Sequence, residues 1–146
     1  MYSPQPPHEL VGELALVDDY VLIVDDDRMF CQVLCHAMRT DGFNCIVAPT
    51  APEALRLIRR SRPRLIVLDL ITSRASGSEL LRTLESDMST ASVQVIAMSA
   101  NASSIIRPDA LALDAQIVLS KTRFSMMEFR RLVKRIMPSP GKASAA

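Results

Sequence analysis

The sequence lacks apolar runs long enough to cross a membrane, since its hydrophobic stretches, such as residues 20–24, have the length of a single strand. Residues 10–17 are mildly apolar, but they include Glu13 and follow no basic leader, so they do not resemble a secretory signal. The three cysteines are an odd number and lack the spacing of a disulfide framework. Together these absences predict a reduced protein of the cytoplasm.

An excess of charge of one sign is also lacking. Charged residues make up 23% of the chain and leave a formal net charge of +1, which favours neither nucleic acid nor a membrane surface as a partner. One basic face is predicted on the last helix, but no aromatic side chains alternate with it. A solvated surface, an acidic docking partner or a homodimer contact is therefore favoured over nucleic acid. The residues of this face are Arg130, Arg131, Lys134 and Arg135.

What the sequence does have is an alternation of strand and helix patterns. Near-continuous apolar runs predict buried parallel strands, and apolar residues spaced as on one face of a helix follow them. Strands are predicted at 20–25, 43–48, 64–69, 93–98 and 116–119, and helices at 28–40, 51–61, 77–86, 103–112 and from 125 to about 137. The pattern predicts a doubly wound α/β fold of the flavodoxin-like type, with a five-stranded parallel sheet and helices on both faces.

Local signals support the ends of these elements. Gly42 follows the first predicted helix, where glycine is common. Three capping boxes open later helices: Thr50 with Glu53, Ser76 with Glu79, and Ser125 with Glu128. Residues 20–137 are expected to form one domain, preceded by a flexible lead-in over 1–19 and followed by a disordered tail over 138–146.

Polar side chains stand at the ends of the predicted strands. Asp25, Asp26 and Asp27 follow the first strand, Asp69 ends the third, Ser99 follows the fourth and Lys121 comes just after the last. Right-handed crossovers bring the carboxyl ends of parallel strands to one edge of a sheet, so these side chains are expected to converge.

Converging carboxylates predict a metal site. Adjacent acids repel one another unless a cation compensates them, and their hard oxygen atoms suit Mg²⁺, or Mn²⁺, rather than zinc. The plainer explanation is that the acids cap helices and that Lys121 pairs with one of them. That explanation is easier to accept for any single position than for all of them together.

These residues resemble a response-regulator receiver domain of two-component signalling, over residues 20–137. The similarity lies in Val21–Asp27, in Leu65–Asp69 with Gly77 eight residues on, in the pair Ser99-Ala100, and in Lys121 before a final amphipathic helix. The ordered set is more specific than any one of its motifs.

The resemblance implies a phosphorelay function, not that of a turnover enzyme. Asp69 would accept a phosphoryl group from a phosphohistidine on a sensor histidine kinase or a histidine phosphotransfer protein. Asp25, Asp26 and Asp69, with the backbone carbonyl of Ile71, would hold the Mg²⁺. Ser99 would be the switch hydroxyl and Lys121 the lysine that neutralises phosphoryl oxygen. The modified face would then change its affinity for another protein.

Some positions depart from the family pattern, and others are ones that influence the lifetime of the acyl phosphate in the family. Val118 stands where an aromatic switch residue is common in the family, and Thr122 stands where a proline usually follows the lysine. Ile71 and Asn101 occupy the two positions that influence hydrolysis of the acyl phosphate in the family. Because an aliphatic side chain at 71 cannot position an attacking water, slow self-dephosphorylation is expected.

Two other functions fit parts of the sequence. Val118 and Thr122 would also suit a receiver-like adaptor that binds its partner without being phosphorylated. Phosphatases of the haloacid-dehalogenase type use an Asp-x-Asp pair, which Asp25 and Asp27 match in spacing. That enzyme class needs a small residue and a threonine next, whereas this chain has Arg28-Met29.

A cysteine and histidine metal site is a weaker interpretation. Cys31, Cys35 and His36 lie close together in sequence, but the two cysteines fall on the apolar face of a predicted helix. Buried cysteines of this kind usually pack as small hydrophobic side chains.

Overall fold

The structure, a computed structural model, describes residues 19–70, 77–90, 92–99 and 117–138, apart from the side chains of Ser78 and Val118. Five parallel strands form one sheet in the order β2-β1-β3-β4-β5. The strands are β1 (Tyr20–Val24), β2 (Asn44–Ala48), β3 (Leu65–Asp69), β4 (Gln94–Ser99) and β5 (Ile117–Ser120). The described helices are α1 (Arg28–Thr40), α2 (Ala51–Arg60), α3 (Gly77–Ser86) and α4 (Met126–Ile136). The predicted doubly wound, flavodoxin-like fold is confirmed.

The central strands are buried on both faces, which is why their sequences are almost continuously apolar. In β1, Leu22 and Val24 pack in a core with side chains of α2 and α3, whereas Val21 and Ile23 pack in a second core with α1 and α4. Each fully buried aliphatic side chain of this size contributes roughly 1.5–3 kcal/mol. The two cores therefore fix the plane of the sheet, and with it the edge at which the strands end.

Side chains at the helix ends satisfy backbone groups, as the sequence predicts for two of the three capping boxes. The hydroxyl of Thr50 accepts a hydrogen bond from the N–H of Glu53 at 3.5 Å, and that of Ser125 accepts one from Glu128 at 3.3 Å. Gly42 follows α1 with a φ of 89°, a left-handed conformation that glycine adopts without strain.

Observed and predicted element ends differ by at most one residue. The last predicted residues of two helices, Ser61 and Met137, are C-caps: each still donates its N–H to a helix carbonyl but has left helical backbone angles. The predicted helix over 103–112, the Ser76 capping box, residues 1–18 and residues 139–146 lie outside the described residues. Within the described ranges, no helix is long and apolar enough to cross a membrane.

The basic face of α4 is partly used inside the domain. Arg130 makes a two-pronged ion pair with Asp41 at the end of α1, with Nε 2.8 Å from Oδ2 and Nη2 2.6 Å from Oδ1. This hydrogen bonding holds the pKa of Asp41 below its usual value. Arg131, Lys134 and Arg135 are exposed. One of the four basic residues thus fixes α4 against α1.

Candidate functional site

The polar residues predicted to converge lie at the carboxyl ends of four neighbouring strands. Val24 pairs with Leu68, so Asp25 and Asp69, one residue further on, end adjacent strands. Ser99 pairs with Ser120, and the N–H of Lys121 donates to the carbonyl oxygen of Ser99 at 2.7 Å. Positions as far apart in sequence as Asp25 and Lys121 therefore meet, because the crossovers return each strand to the same edge.

Three carboxylates form the centre of the site. Oxygen atoms of Asp25, Asp26 and Asp69 all lie within 4.8 Å of one another. Asp25 and Asp69 are buried, with 3% and 6% of their surface exposed, whereas Asp26 is exposed. Burying charged groups is costly unless a cation or hydrogen bonds compensate them. A cluster of this kind therefore indicates a cation site.

Lys121 supplies one positive charge to this cluster. Its Nζ lies 2.7 Å from Oδ2 of Asp25 and 3.4 Å from Oδ2 of Asp69, and its side chain is largely buried. Burial alone would lower the pKa of Lys121, but the hydrogen bond and charge of Asp25, followed by those of Asp69, outweigh it and raise the pKa. The lysine is thus held as an ammonium ion between the two buried carboxylates.

An aromatic side chain of α1 contacts the lysine. This contact was not predicted from the sequence. Nζ of Lys121 lies 4.7 Å from the centre of the Phe30 ring, within range of a cation–π interaction. Phe30 in turn contacts Phe124 edge to face, with ring centres 5.2 Å apart, and Phe124 contacts Phe129 of α4. The only available sequence signal was the partly apolar start of α1, which does not reveal a contact across 91 positions.

Asp25 is held by three hydrogen bonds, one to its side chain and two to its backbone. Its Oδ1 accepts from the N–H of Asp27 at 2.9 Å, its own N–H donates to Ala48 at 3.2 Å, and its carbonyl oxygen accepts from the thiol of Cys31 at 3.3 Å. Burial, followed by the charge of Asp25, raises the pKa of the Cys31 thiol to about 12. Cys31 therefore remains a neutral hydrogen-bond donor.

Asp27 has a different task from its two neighbours. Its Oδ1 accepts the N–H of Phe30 at 3.1 Å and so caps the first turn of α1. The plainer explanation for acids at strand ends, that they cap helices, thus holds for Asp27 and not for the trio of carboxylates. It also argues against the phosphatase interpretation, which would need Asp25 and Asp27 in one site.

Gly77 packs against the backbone of Asp69 and Leu70. A Cβ atom added to Gly77 would lie 2.1 Å from the carbonyl oxygen of Asp69 and 2.8 Å from Cα of Leu70, so no larger residue fits without a shift of backbone. The N–H of Gly77 donates to Leu70 at 3.0 Å, and the N–H of Leu70 donates to Met98 at 2.9 Å. The start of α3 is thereby fixed against the end of β3.

The loop that carries Lys121 is held by its own hydroxyl groups. Oγ of Ser120 lies 2.9 Å from Oγ1 of Thr122 and accepts the N–H of Arg123 at 3.2 Å. Thr122, at the position where the family commonly has proline, therefore takes part in a hydrogen-bonded turn. Nearby, Ser99 is buried at the end of β4, with 1% of its surface exposed.

Three predicted positions receive no side-chain description. Ile71 and Asn101 lie outside the described residues, so the carbonyl ligand assigned to Ile71 and the effect of both on phosphate lifetime remain predictions. Val118 lies within β5, but its side chain is not among those described.

The chemistry of the donor atoms fits Mg²⁺. Three carboxylates offer hard oxygen ligands, and no nitrogen or sulfur ligand is among them. In the part of the chain that the structure describes, no other group of three or more acidic, histidine or cysteine side chains could hold a metal ion. Cys31 and Cys35 are buried in the core and His36 is exposed, as expected if the cysteines pack as hydrophobic side chains.

Comparison with known proteins agrees with this geometry. The family model of the response regulator receiver domain matches residues 21–136. The chain is 28% identical over 132 residues to the phosphate regulon transcriptional regulatory protein PhoB of Pseudomonas aeruginosa. The alignment covers 89% of this chain and 57% of PhoB. It therefore spans little more than half of that relative's length.

Solved structures show the same fold. The receiver domain of the Francisella response regulator 1452 is 28% identical, with a TM-score of 0.70 over 80% of this chain and 94% of that one. The Vibrio cholerae chemotaxis protein CheY4 has a TM-score of 0.73 over 83% of this chain and 99% of that one, but at 18% identity it bears on the fold alone. With a family model matching most of its length and an acidic pocket typical of the family's Mg²⁺ site, the chain belongs to the response regulator receiver domain family.

Proposed function

We propose that this protein is a phosphorelay receiver in which Asp69 accepts a phosphoryl group from a phosphohistidine. Receiver domains accept phosphoryl groups in signalling and are not turnover enzymes, and the family implies a histidine kinase as partner. The donor here would be a sensor histidine kinase or a histidine phosphotransfer protein. The single observation that carries the proposal is the position of Lys121, which contacts both Asp25 and Asp69 at the edge where three carboxylates meet.

The transfer is a displacement at phosphorus. A carboxylate oxygen of Asp69 forms a bond to phosphorus while the bond from phosphorus to the imidazole nitrogen breaks. The electron pair stays with that nitrogen, which takes up a proton, and the product is an acyl phosphate. Asp69 is the last residue of β3 and lies at the edge of the sheet where the three carboxylates meet.

Asp25, Asp26 and Asp69 would hold Mg²⁺, which supplies charge neutralisation and orientation of the incoming phosphoryl group. The amine of Lys121, which lies 3.4 Å from Oδ2 of Asp69, would neutralise a second phosphoryl oxygen. The hydroxyl of Ser99 would donate a hydrogen bond to a third. The burial of Asp25 and Asp69 strengthens each of these electrostatic contacts, because screening by water is reduced.

Phosphorylation would be read out as a change in affinity for another protein. Moving Lys121 from Asp25 toward a phosphoryl oxygen would alter its contact with Phe30, and thus the aromatic cluster that joins α1 to α4. This route does not require an aromatic residue at position 118. It makes α1, α4 and the loop carrying Lys121 the surface on which the readout is expected.

Titration with beryllofluoride in the presence of Mg²⁺ tests the proposal, with backbone amide shifts as the readout. We expect saturable shifts at Asp69, Ser99 and Lys121, spreading to Phe30 and Phe124. The matched variants are Asp69→Asn, which should not respond, and Asp27→Asn, which removes an acid that caps α1 and should respond like the wild type. A wild-type spectrum that does not change would favour the adaptor that works without phosphorylation.

A further inference from the structure

A second candidate binding surface lies at the opposite end of the domain from the carboxylates. A cleft of about 370 Å³ runs between the C-terminal halves of α2 and α3 and the turns that follow them. Its floor is apolar, since Ile58 and Leu84 are buried and Leu55 is partly buried. Three arginines, Arg59, Arg60 and Arg62, line it, and we call it the basic cleft.

Most of the charged side chains that line the basic cleft are positive. Among the residues that line it, only Asp87 carries a negative charge, against the three arginines. Arg62 joins the two walls by donating from Nη1 to the carbonyl oxygen of Ser89 at 3.1 Å. An apolar floor with a cationic rim suits an occupant that is acidic on one side and apolar on the other.

The described chain begins near Ser61, one of the residues that line the cleft. The hydroxyl of Tyr20, the first residue of β1, donates to the carbonyl oxygen of Ser61, which lines the cleft, at 2.5 Å. The N–H of Arg64 donates to the carbonyl oxygen of Tyr20 at 2.8 Å, and its guanidinium lies 3.7 Å from the carboxylate of Asp19. Asp19 therefore lies within about the length of one tyrosine side chain and one residue of Ser61, which lines the cleft.

The segment that immediately precedes Asp19 has the matching chemistry. Residues 9–18 read Glu-Leu-Val-Gly-Glu-Leu-Ala-Leu-Val-Asp and carry three acidic residues and no basic one. Leu10, Leu14 and Val17 are spaced as on one face of a helix. Ten residues would span about 15 Å as a helix and about 33 Å if extended, so either form could cross a cleft of this size.

We propose that residues 9–18 of this chain dock in the basic cleft, with their apolar side chains on the floor and their carboxylates toward the arginines. The linkage through Asp19 keeps the segment at an effective concentration on the order of millimolar beside the cleft, so even weak contacts suffice to fill it. This contact is independent of phosphorylation, because the cleft and the carboxylates lie at opposite ends of the sheet.

Two substitutions in the 146-residue chain, each with a matched control, test the docking from its two sides. Leu14→Asp places a charge against the apolar floor, and we expect it to shift the backbone amides of residues 58–62 and 83–90. Gln5→Asp adds the same charge outside the docking segment and should leave those amides unchanged. Arg60→Glu should speed hydrogen exchange of amides 9–18 at least tenfold, whereas Arg56→Glu, an exposed arginine of α2 that does not line the cleft, should not.

The same measurements can overturn the docking proposal. If Leu14→Asp leaves the cleft amides unchanged, and amides 9–18 of the wild type exchange at the rate of an unstructured chain, the docking is overturned. The cleft would then be open to an acidic segment of another protein. None of these substitutions touches a buried residue of the described domain, so unfolding would not account for either outcome.

Discussion

The ammonium of Lys121 lies 2.7 Å from Oδ2 of Asp25, closer than to Asp69, although all three side chains belong to the same site. The contact joins the end of β5 to the end of β1 across the width of two intervening strands. It makes Lys121 a structural cation in the resting protein as well as a candidate partner for a phosphoryl group.

Replacing Lys121 should therefore make the fold more dependent on Mg²⁺. In Lys121→Met without metal, two buried carboxylates lose a charged hydrogen-bond donor, and we expect a loss of about 2 kcal/mol or more in the free energy of unfolding. Added Mg²⁺ should restore more stability to the variant than to the wild type, because the ammonium no longer competes for the carboxylates. Thermal unfolding with EDTA and with a Mg²⁺ series measures both effects.

The matched control is Lys134→Met, which removes the same charge from an exposed position on α4. It should change stability little and leave the response to Mg²⁺ at the wild-type value. An equal response in Lys121→Met and the wild type would contradict competition between the ammonium and Mg²⁺, and no response in either would contradict the assignment of the three carboxylates as the metal site.

Gly77→Ala should be destabilising even though it adds only one methyl group. The new Cβ would meet the carbonyl oxygen of Asp69, and backbone cannot move aside as a flexible side chain can. We expect a loss of about 1–3 kcal/mol in denaturant unfolding. Arg82→Ala, at an exposed position of the same helix, should stay within about 0.5 kcal/mol of the wild type. A fully stable Gly77→Ala would mean that α3 does not press on β3 as described.

The ion pair between Asp41 and Arg130 should give a stability difference that depends on pH. The pKa of Asp41 is lowered in the folded state, so its contribution is present above the unfolded value of about 4 and is lost as pH falls through that value and below. Asp41→Asn should thus be less stable than the wild type at pH 7, and the difference should shrink as pH falls below about 4. Combination with Arg130→Met should add little at pH 7, since each change removes the same pair. Additive losses would show that the pair does not form in solution.

The lifetime of the acyl phosphate should be long and should depend on position 71. Ile71 offers no group that could orient a water molecule, so we expect slow loss of phosphate in Mg²⁺ at neutral pH. Ile71→Glu supplies a general base, and such groups contribute about 10²–10⁴-fold in favourable geometry, so a shortening of about tenfold or more is expected. Phosphate release followed over time compares the variant with Ile71→Leu, which should keep the long lifetime. Rapid release from the wild type would contradict the prediction.

The sheet could be predicted from the sequence because its signals are local and repeated. The run at residues 20–24 is apolar because both of its faces are buried, and the hydroxyls of Thr50 and Ser125 mark helix starts within one turn of chain. Once the strands were placed, the handedness of the crossovers brought Asp25 and Asp69 to one edge. The meeting of the carboxylates follows from topology, not from any one motif.

The supporting contacts of the site could not be predicted in the same way. Phe30 is an apolar residue within the predicted helix 28–40, and its contact with Lys121 depends on how α1 and the loop after β5 pack in three dimensions. Asp27 carries the same side chain as Asp25 and Asp26, and only the start of α1 gives it a different task as a cap. Composition and spacing identify candidate site residues. Packing in three dimensions determines which of them are in contact.

Phosphotransfer to the wild type and to Asp69→Asn, in Mg²⁺ and again with EDTA, tests the central claim most directly. A phosphorylated histidine kinase or a small phosphoramidate serves as donor, and intact mass reports the addition of one phosphoryl group. We expect the group on the wild type in Mg²⁺, and none on Asp69→Asn or in EDTA. Equal labelling of the wild type and Asp69→Asn would show that Asp69 is not the acceptor.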